Sequence, residues 1–349
     1  MAAPIKCVVW DLDRTLLEGV LLESADARHS PTVRPGMAEV LSTLHERGIV
    51  SSVASRNPPE LAASAVAAVD WPTPLLAPQF GWGAKSASIR RIADELNIDV
   101  DAIAFVDDDP YERAEVASAL PDVMTLSPDD VVGALTWPRL RPETVTDEGR
   151  RRAESYRDAR RRTEAAQDFA GSREEFQSWA GTVLTIRSAT TDDVARLAEL
   201  SVRTNQFNSR ASSLSAGSFE ERIADDTTTV ACIGLSDRFG DDGTIGGVVI
   251  DRGAKWTVEL IMMSCRAMGR GVIEAMLAWI DRFAQQSNVD DIVVPLRVND
   301  RNVPLRLSLV AAGYRAATPE PGAEALFRRP VPTEPVTLET WVTVESGGT

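Results

Sequence analysis

Two patterns of apolar positions divide the chain. From Lys6 to about Pro138, short apolar runs alternate with stretches of helical period. Residues 7–10 form an apolar strand ending in Asp11, residues 49–54 a second ending at Ser55, and residues 103–106 a third ending at Asp107. Between them, residues 36–47, 62–69 and 85–96 read as helices. Met37, Val40, Leu41 and Leu44 mark one apolar stripe, and Ile89, Ile92, Ala93 and Leu96 another. Such alternation predicts a mostly parallel sheet with helices on both faces, and a ligand crevice at the carboxyl ends of the strands. Asp11, Ser55 and Asp107 all fall at that position.

From Thr182 the pattern restarts with longer strands. Residues 183–186 read as a strand and 191–203 as a helix. Three consecutive strands follow over 228–235, 245–251 and 256–263, with turn signals at 239–243 and 252–254. A helix over 271–285, a strand over 292–297, a helix over 302–313 and a last strand within 337–344 complete the series. Residues 144–179 differ from both halves. They are dense in Arg, Glu and Asp, as in a solvated connecting helix or helix pair. The expected organisation is therefore a first domain over 1–143, a charged linker helix over 144–180 and a second α/β domain over 181–349.

Composition narrows the functional classes. The 349 residues carry 37 Lys plus Arg against 52 Asp plus Glu, a formal charge of −15. That balance repels a polyphosphate backbone, so no nucleic-acid partner is expected. No run approaches the roughly 20 apolar residues of a membrane span, and the first residues lack a secretory pattern, so no membrane partner and a cytoplasmic location are expected. Cys7, Cys232 and Cys265 are too few and scattered for a disulfide framework or a zinc cage. Cys7 and Cys232 sit inside apolar strands and belong to the core. Only His29 and His45 exist, so chemistry in the second half proceeds without imidazole.

Asp11 and Asp13 stand two apart just past an apolar strand. Ser55, Lys85 and Asp107-Asp108-Asp109 follow in order at later strand and helix ends. This set resembles the four motifs of the haloacid dehalogenase (HAD) phosphatase superfamily. The resemblance implies Asp11 as nucleophile and Asp13 as general acid and base. It implies Mg²⁺ between Asp11, the backbone carbonyl of Asp13 and Asp107, an all-oxygen site suited to a hard cation. Ser55 and its neighbour Arg56 would hold the phosphoryl group, and Lys85 would offset the clustered negative charge. Asp108 would orient the metal shell. Only about 17 residues separate Leu16 from Val33, room for a flap rather than a cap domain.

In the second half, Ser264-Cys265-Arg266 with Gly269-Arg270-Gly271 follows a strand and opens a helix. Arg-x-x-Gly-x-Gly at such a junction resembles the pyrophosphate loop of GNAT acyltransferases, where backbone N–H groups at a helix start meet phosphate oxygens. Arg266, Gly269, Arg270, Gly271 and Asn302 would then bind the phosphate of a pantetheine arm. Cys265, beside two arginines and a helix start, is the candidate second nucleophile, with Glu259 and Asp241 as candidate bases.

Several stretches sharpen the picture: Ala54-Ser55-Arg56-Asn57, Gly81-Trp82-Gly83-Ala84-Lys85, Phe105 to Ala114, Arg203 to Asn208, and Asp237 to Asp241. Over nearly the whole chain they resemble the FkbH-like family of polyketide pathways. Membership implies transfer of a D-glyceryl unit from 1,3-bisphosphoglycerate, with dephosphorylation, to the phosphopantetheine thiol of an acyl carrier protein, for extender-unit or tetronate synthesis. Arg14 and Leu17-Glu18-Gly19 depart from the expected residues after Asp13. The rival reading is a HAD phosphatase fused to an acetyl-CoA-dependent N-acetyltransferase.

Overall fold

A computed structural model describes residues 3–23, 31–142, 145–204, 206–210, 212–253, 256–316 and 324–345. Two compact units divide the chain, Met1–Arg157 and Asp158–Thr349. The expected linker, 144–180, contains three helices, and the division falls inside the second of them.

The first unit alternates β1 (Cys7–Trp10), α1 (Met37–Glu46), β2 (Val50–Ser55), α2 (Pro59–Ala67), β3 (Gln79–Phe80), α3 (Lys85–Leu96), β4 (Ile103–Val106), α4 (Pro110–Ala119), β5 (Met124–Leu126) and α5 (Val131–Ala134). The short α6 (Asp147–Arg150) and the start of α7 (Arg152–Asp168) follow. The sheet order is β3-β2-β1-β4-β5, with every pair parallel. Strand β1 is buried throughout because its alternate residues serve two cores. Val8 and Trp10 pack with Leu41 and Leu44 of α1 on one face, and Cys7 and Val9 with Ile89 and Ile92 of α3 on the other. This is the doubly covered parallel sheet that the apolar pattern predicts. Strands β3 and β5 escape that reading, being only two and three residues long. After β1, Leu17 bridges Val33 in antiparallel fashion, closing the base of the expected flap.

The second unit takes up the rest of α7, then α8 (Arg173–Ala180), β6 (Val183–Ser188), α9 (Val194–Arg203), α10 (Ala216–Ala224), β7 (Thr228–Asp237), β8 (Gly240–Asp251), β9 (Trp256–Met263), α11 (Val272–Gln286), β10 (Asp291–Arg297), α12 (Val303–Ala311), β11 (Glu324–Pro330) and β12 (Val342–Val344). The seven strands run β11-β10-β9-β8-β7-β6-β12. Strands β6 to β9 form an antiparallel meander, and β10 then joins β9 in parallel. Core residues again alternate between faces. Ala231 and Ile233 meet α11, while Val230 and Cys232 meet α9 and α10. Gly246 and Gly247 sit in β8 because a Cβ on Gly247 would come within 2.8 Å of Leu197, and one on Gly246 within 2.7 Å of the Met262 carbonyl. The turn expected over 239–243 is tighter than the glycines suggest. Strand β7 runs to Asp237 and β8 begins at Gly240, because the Asp237 carboxylate accepts the Phe239 amide at 2.9 Å.

Strands β9 and β10 share a register over only Trp256–Ile292 and Thr257–Val293, then part. Residues 207–209 fill the fork. Ser209 exchanges hydrogen bonds with Ile261, its amide donating to the carbonyl and its hydroxyl accepting the amide, both at 3.0 Å. The Met263 amide donates to Phe207 and the Arg297 amide to Ser209, joining both strands to this segment. No helix among the described residues is long and apolar enough to cross a membrane.

Candidate functional site

Strand ends build the first cluster. Asp11 extends β1, its amide donating to Val106 of β4 at 2.9 Å, so it stands beside Asp107 at the end of that neighbouring strand. Both carboxylates are buried. Lys85, the first residue of α3, reaches back with a buried ammonium that donates to Asp11, to the Ala54 carbonyl at 2.5 Å, and lies 3.1 Å from Asp107. Burial opposes its charge, and Asp11 and Asp107 outweigh it, holding the ammonium above the ordinary lysine range. Burial pushes the Asp11 carboxyl up to about 7, with Lys85 opposing and Asp107 and Asp13 adding to the rise. Burial likewise raises Asp107.

Asp11, Asp107 and Asp108 offer carboxylate oxygens within 4.8 Å of one another. Asp107 Oδ2 is buried and lies against the Lys85 ammonium. An all-oxygen donor set of this kind fits Mg²⁺ and not a softer metal. The third carboxylate in this set is Asp108. The Asp13 side chain accepts the Leu21 amide at 3.0 Å and the Asn57 amide group at 2.8 Å. The loop after β4 is tied in place at several points. Asp107 accepts the Asp109 amide at 2.9 Å, Asp109 caps α4 through the Tyr111 amide, and Arg113 grips the Asp107 and Asp108 carbonyls. Thr15, fully buried, accepts the Asp108 amide at 3.1 Å.

Ser55 ends β2 and accepts from Asn57 at 2.9 Å. Asn57 thus links the Ser55 hydroxyl to the Asp13 carboxylate. Sequence reasoning quoted Asn57 within a motif and gave it no role; the signal was its spacing of two from Ser55. Arg56 is half exposed and paired with Glu112. Its guanidinium reaches Glu112 of α4 at the edge of the cluster. Arg14 takes a left-handed backbone (φ 54°) and is exposed, its carbonyl accepting from Arg34 at 2.6 Å.

In the second unit, Cys265 is half-buried in a single turn between β9 and α11 and forms no disulfide. Cys7 is fully buried, and burial drives its thiol far above the ordinary range; Cys232 is also buried. Gly269 and Gly271 both adopt φ of 77°, a left-handed conformation that lets the chain turn into α11. Among the described residues, the amides of Gly269, Gly271 and Val272 to Glu274 have no recorded acceptor, leaving a set of donors at a helix start. The Gly269 and Arg270 carbonyls accept from Arg173 and Gln177 of α8. One Arg266 terminal nitrogen is buried without a partner.

Two expected pantetheine ligands are placed otherwise. Arg270 is buried in a cluster with Asp242 at 2.6 Å and Asp237 at 2.8 Å, and Arg162 shares Asp237 from α7. Asn302 is fully buried, donating to the Arg297 carbonyl at 2.7 Å and so bracing the turn between β10 and α12. Both side chains are spent inside the protein, a correction with a common cause: each satisfies buried polar groups that water cannot reach. The candidate bases are also engaged. Glu259 pairs with Arg222, and Asp241 accepts the Gly243 amide.

No family model matches the chain, and no curated protein matches it. Solved structures do. The N-terminal part of the protein BF1531 from Bacteroides fragilis, containing a phosphatase domain complexed with Mg, is 28% identical (TM-score 0.34) over 38% of this chain and 39% of that one. The ribosomal-protein-S18-alanine N-acetyltransferase of Escherichia coli is 16% identical over 45% of this chain and 99% of its own (TM-score 0.34). A phosphinothricin acetyltransferase of the GNAT superfamily from Sinorhizobium meliloti, in complex with AcCoA, is 15% identical over 45% and 94% (TM-score 0.35). The chain spans about two fifths of the phosphatase-bearing structure.

Proposed function

We propose that this chain transfers a D-glyceryl unit from 1,3-bisphosphoglycerate, with dephosphorylation, to the phosphopantetheine thiol of an acyl carrier protein. The observation that carries the reading is the cluster of Asp11, Asp107 and Asp108, the first two buried against Lys85 and the third half-buried beside them. Three carboxylates with one ammonium form a site short of positive charge, which suits a cation and a phosphoryl group arriving together.

Mg²⁺, held by Asp11, Asp107 and Asp108 with the Asp13 carbonyl, would neutralise the phosphoryl oxygens. An Asp11 oxygen attacks phosphorus, the C3–O–P bond breaks at phosphorus, and Asp13 gives its proton to the leaving alkoxide. Asp13 then takes a proton from water, which attacks the aspartyl phosphate, releasing phosphate and restoring Asp11. Asn57 holds Asp13 toward Ser55, keeping the acid over the phosphate subsite. Lys85 opposes the rise that burial imposes on Asp11 and fixes the position of its carboxylate. In the second unit, the Cys265 thiolate displaces phosphate from the acyl phosphate to give a thioester. The carrier thiol then takes the glyceryl group and Cys265 recovers its proton. The donors at the start of α11 would receive the pantetheine phosphate.

Intact-mass analysis of a holo carrier protein incubated with the chain, Mg²⁺ and fresh 1,3-bisphosphoglycerate tests the reading. A glyceryl adduct of the carrier is expected. Cys265→Ser should lose the adduct on the enzyme and slow carrier loading at least about a hundredfold, while leaving phosphate release intact. Carrier loading at the parent rate removes the covalent step. Acetylation of an amine from acetyl-CoA, with no glyceryl adduct, replaces the whole reading by the fusion of a phosphatase and an N-acetyltransferase.

A further inference from the structure

The chain is acidic overall, yet one stretch inverts the balance. Residues 297–316 carry four Arg against one Asp. This stretch includes α12, whose outer face is apolar: Val303, Leu307 and Val310 are all exposed, Leu307 by 64%. A groove of about 340 Å³ runs along this face, lined by those three residues with Phe327 and by Arg306 and Arg315. Arg306 makes no ion pair among the described residues, and its Nε is buried without a hydrogen-bond partner. The Arg315 guanidinium donates to the carbonyls of Val310 and Tyr314 and makes no ion pair among the described residues. Apolar positions at 303, 307 and 310 follow the spacing of a helix contact face, and the arginines beside them supply the charged rim.

We propose that this groove docks the carrier protein through an acidic amphipathic helix, apolar side chains entering beside Leu307 and carboxylates pairing with Arg306 and Arg315. The assignment rests on the reading that a carrier thiol is the acceptor. Charge decides the occupant. A second copy of this chain would bring α12 with its own arginines against these ones, whereas an acidic helix meets two cations that form no ion pair among the described residues.

The test titrates a purified polyketide acyl carrier protein in its phosphopantetheinyl form, with 1,3-bisphosphoglycerate and Mg²⁺. Wild type is compared with Arg306→Glu/Arg315→Glu, with Leu307→Asp and with the milder Leu307→Gln, each first shown to melt at the parent temperature. The KM for carrier should rise at least about tenfold in the first two variants, with kcat within about twofold, and the wild-type KM should rise with salt while that of Arg306→Glu/Arg315→Glu does not. An unchanged KM in these variants overturns the docking face. Fluorescence anisotropy of the labelled apo carrier reads docking without chemistry. A wild type that binds but never loads sinks the glyceryl-transfer reading and leaves the groove standing. One that neither binds nor loads overturns both. A dimer that the variants dissociate, with the carrier KM unmoved, assigns the face to a second copy and overturns the proposal.

Discussion

Each unit buries a cluster of opposite charges, and the two clusters differ in arithmetic. In the second unit, Arg162 and Arg270 face Asp237 and Asp242, two cations against two anions. In the first unit, Lys85 alone faces Asp11 and Asp107, with Asp108 close by. A balanced cluster is complete in itself; it ties α7, the β7–β8 turn and the loop before α11 into one body. An unbalanced one is complete only when something positive arrives. The pKa directions follow. Arg162 helps hold Asp237 below the ordinary carboxylate range against its burial, whereas burial prevails at Asp11, which rises to about 7. Burial of charge by itself therefore does not mark a site. The imbalance does.

Asp11→Asn should cut phosphate release by more than about a thousandfold, because it removes the nucleophile while keeping the shape. A phosphate-release assay with Mg²⁺ checks it, and a variant within tenfold of wild type would move the nucleophile elsewhere. Next in size is Lys85→Met. It leaves two buried carboxylates facing each other and should cost about 3–5 kcal/mol in urea denaturation. Added Mg²⁺ should recover part of that loss. Arg270→Ala should cost about 3 kcal/mol, since Asp242 keeps only Arg162, at 3.8 Å. Mg²⁺ should recover none of it; recovery to the same extent as in Lys85→Met would erase the contrast between the clusters.

The smallest effect concerns a pair at the rim of the second unit. Burial tends to raise Asp193, but its hydrogen bonds from Arg187 prevail and hold it down to about 2. A carboxylate depressed on folding contributes stability that is full above its unfolded value and fades as pH falls from about 4 through about 2. Arg187 is partly exposed, so solvent screening limits the term to about 1 kcal/mol. Asp193→Asn should lose that amount at pH 6 by urea denaturation and match wild type near pH 2. An equal difference at both pH values would assign the loss to packing.

What was legible in the sequence depended on how local each signal was. The order of strands and helices could be read because β1 and β4 are uninterrupted apolar runs and α3 has a clean stripe. The joining of Asp11, Lys85 and Asp107 followed from their places at strand and helix ends, where a parallel sheet brings distant residues together. The roles of Arg270 and Asn302 were not legible. Both stand at motif positions, and only the fold shows Asp237 and the Arg297 carbonyl waiting beside them. The pairing of Arg56 with Glu112 was not legible for the same reason, since Glu112 lies on another element. Strand β11 and helix α10 went unread, one beyond the last clear helix and the other inside a Ser-rich stretch with little periodicity.

Residues 207–209 bear on how the second unit moves. The amides of Ile261, Met263 and Arg297 lie where two strands diverge, a place where solvent would ordinarily reach them, yet each finds an acceptor in this short segment. Proton exchange at all three is thereby tied to a single local departure rather than to separation of the sheet. Deuterium uptake there would time that event directly.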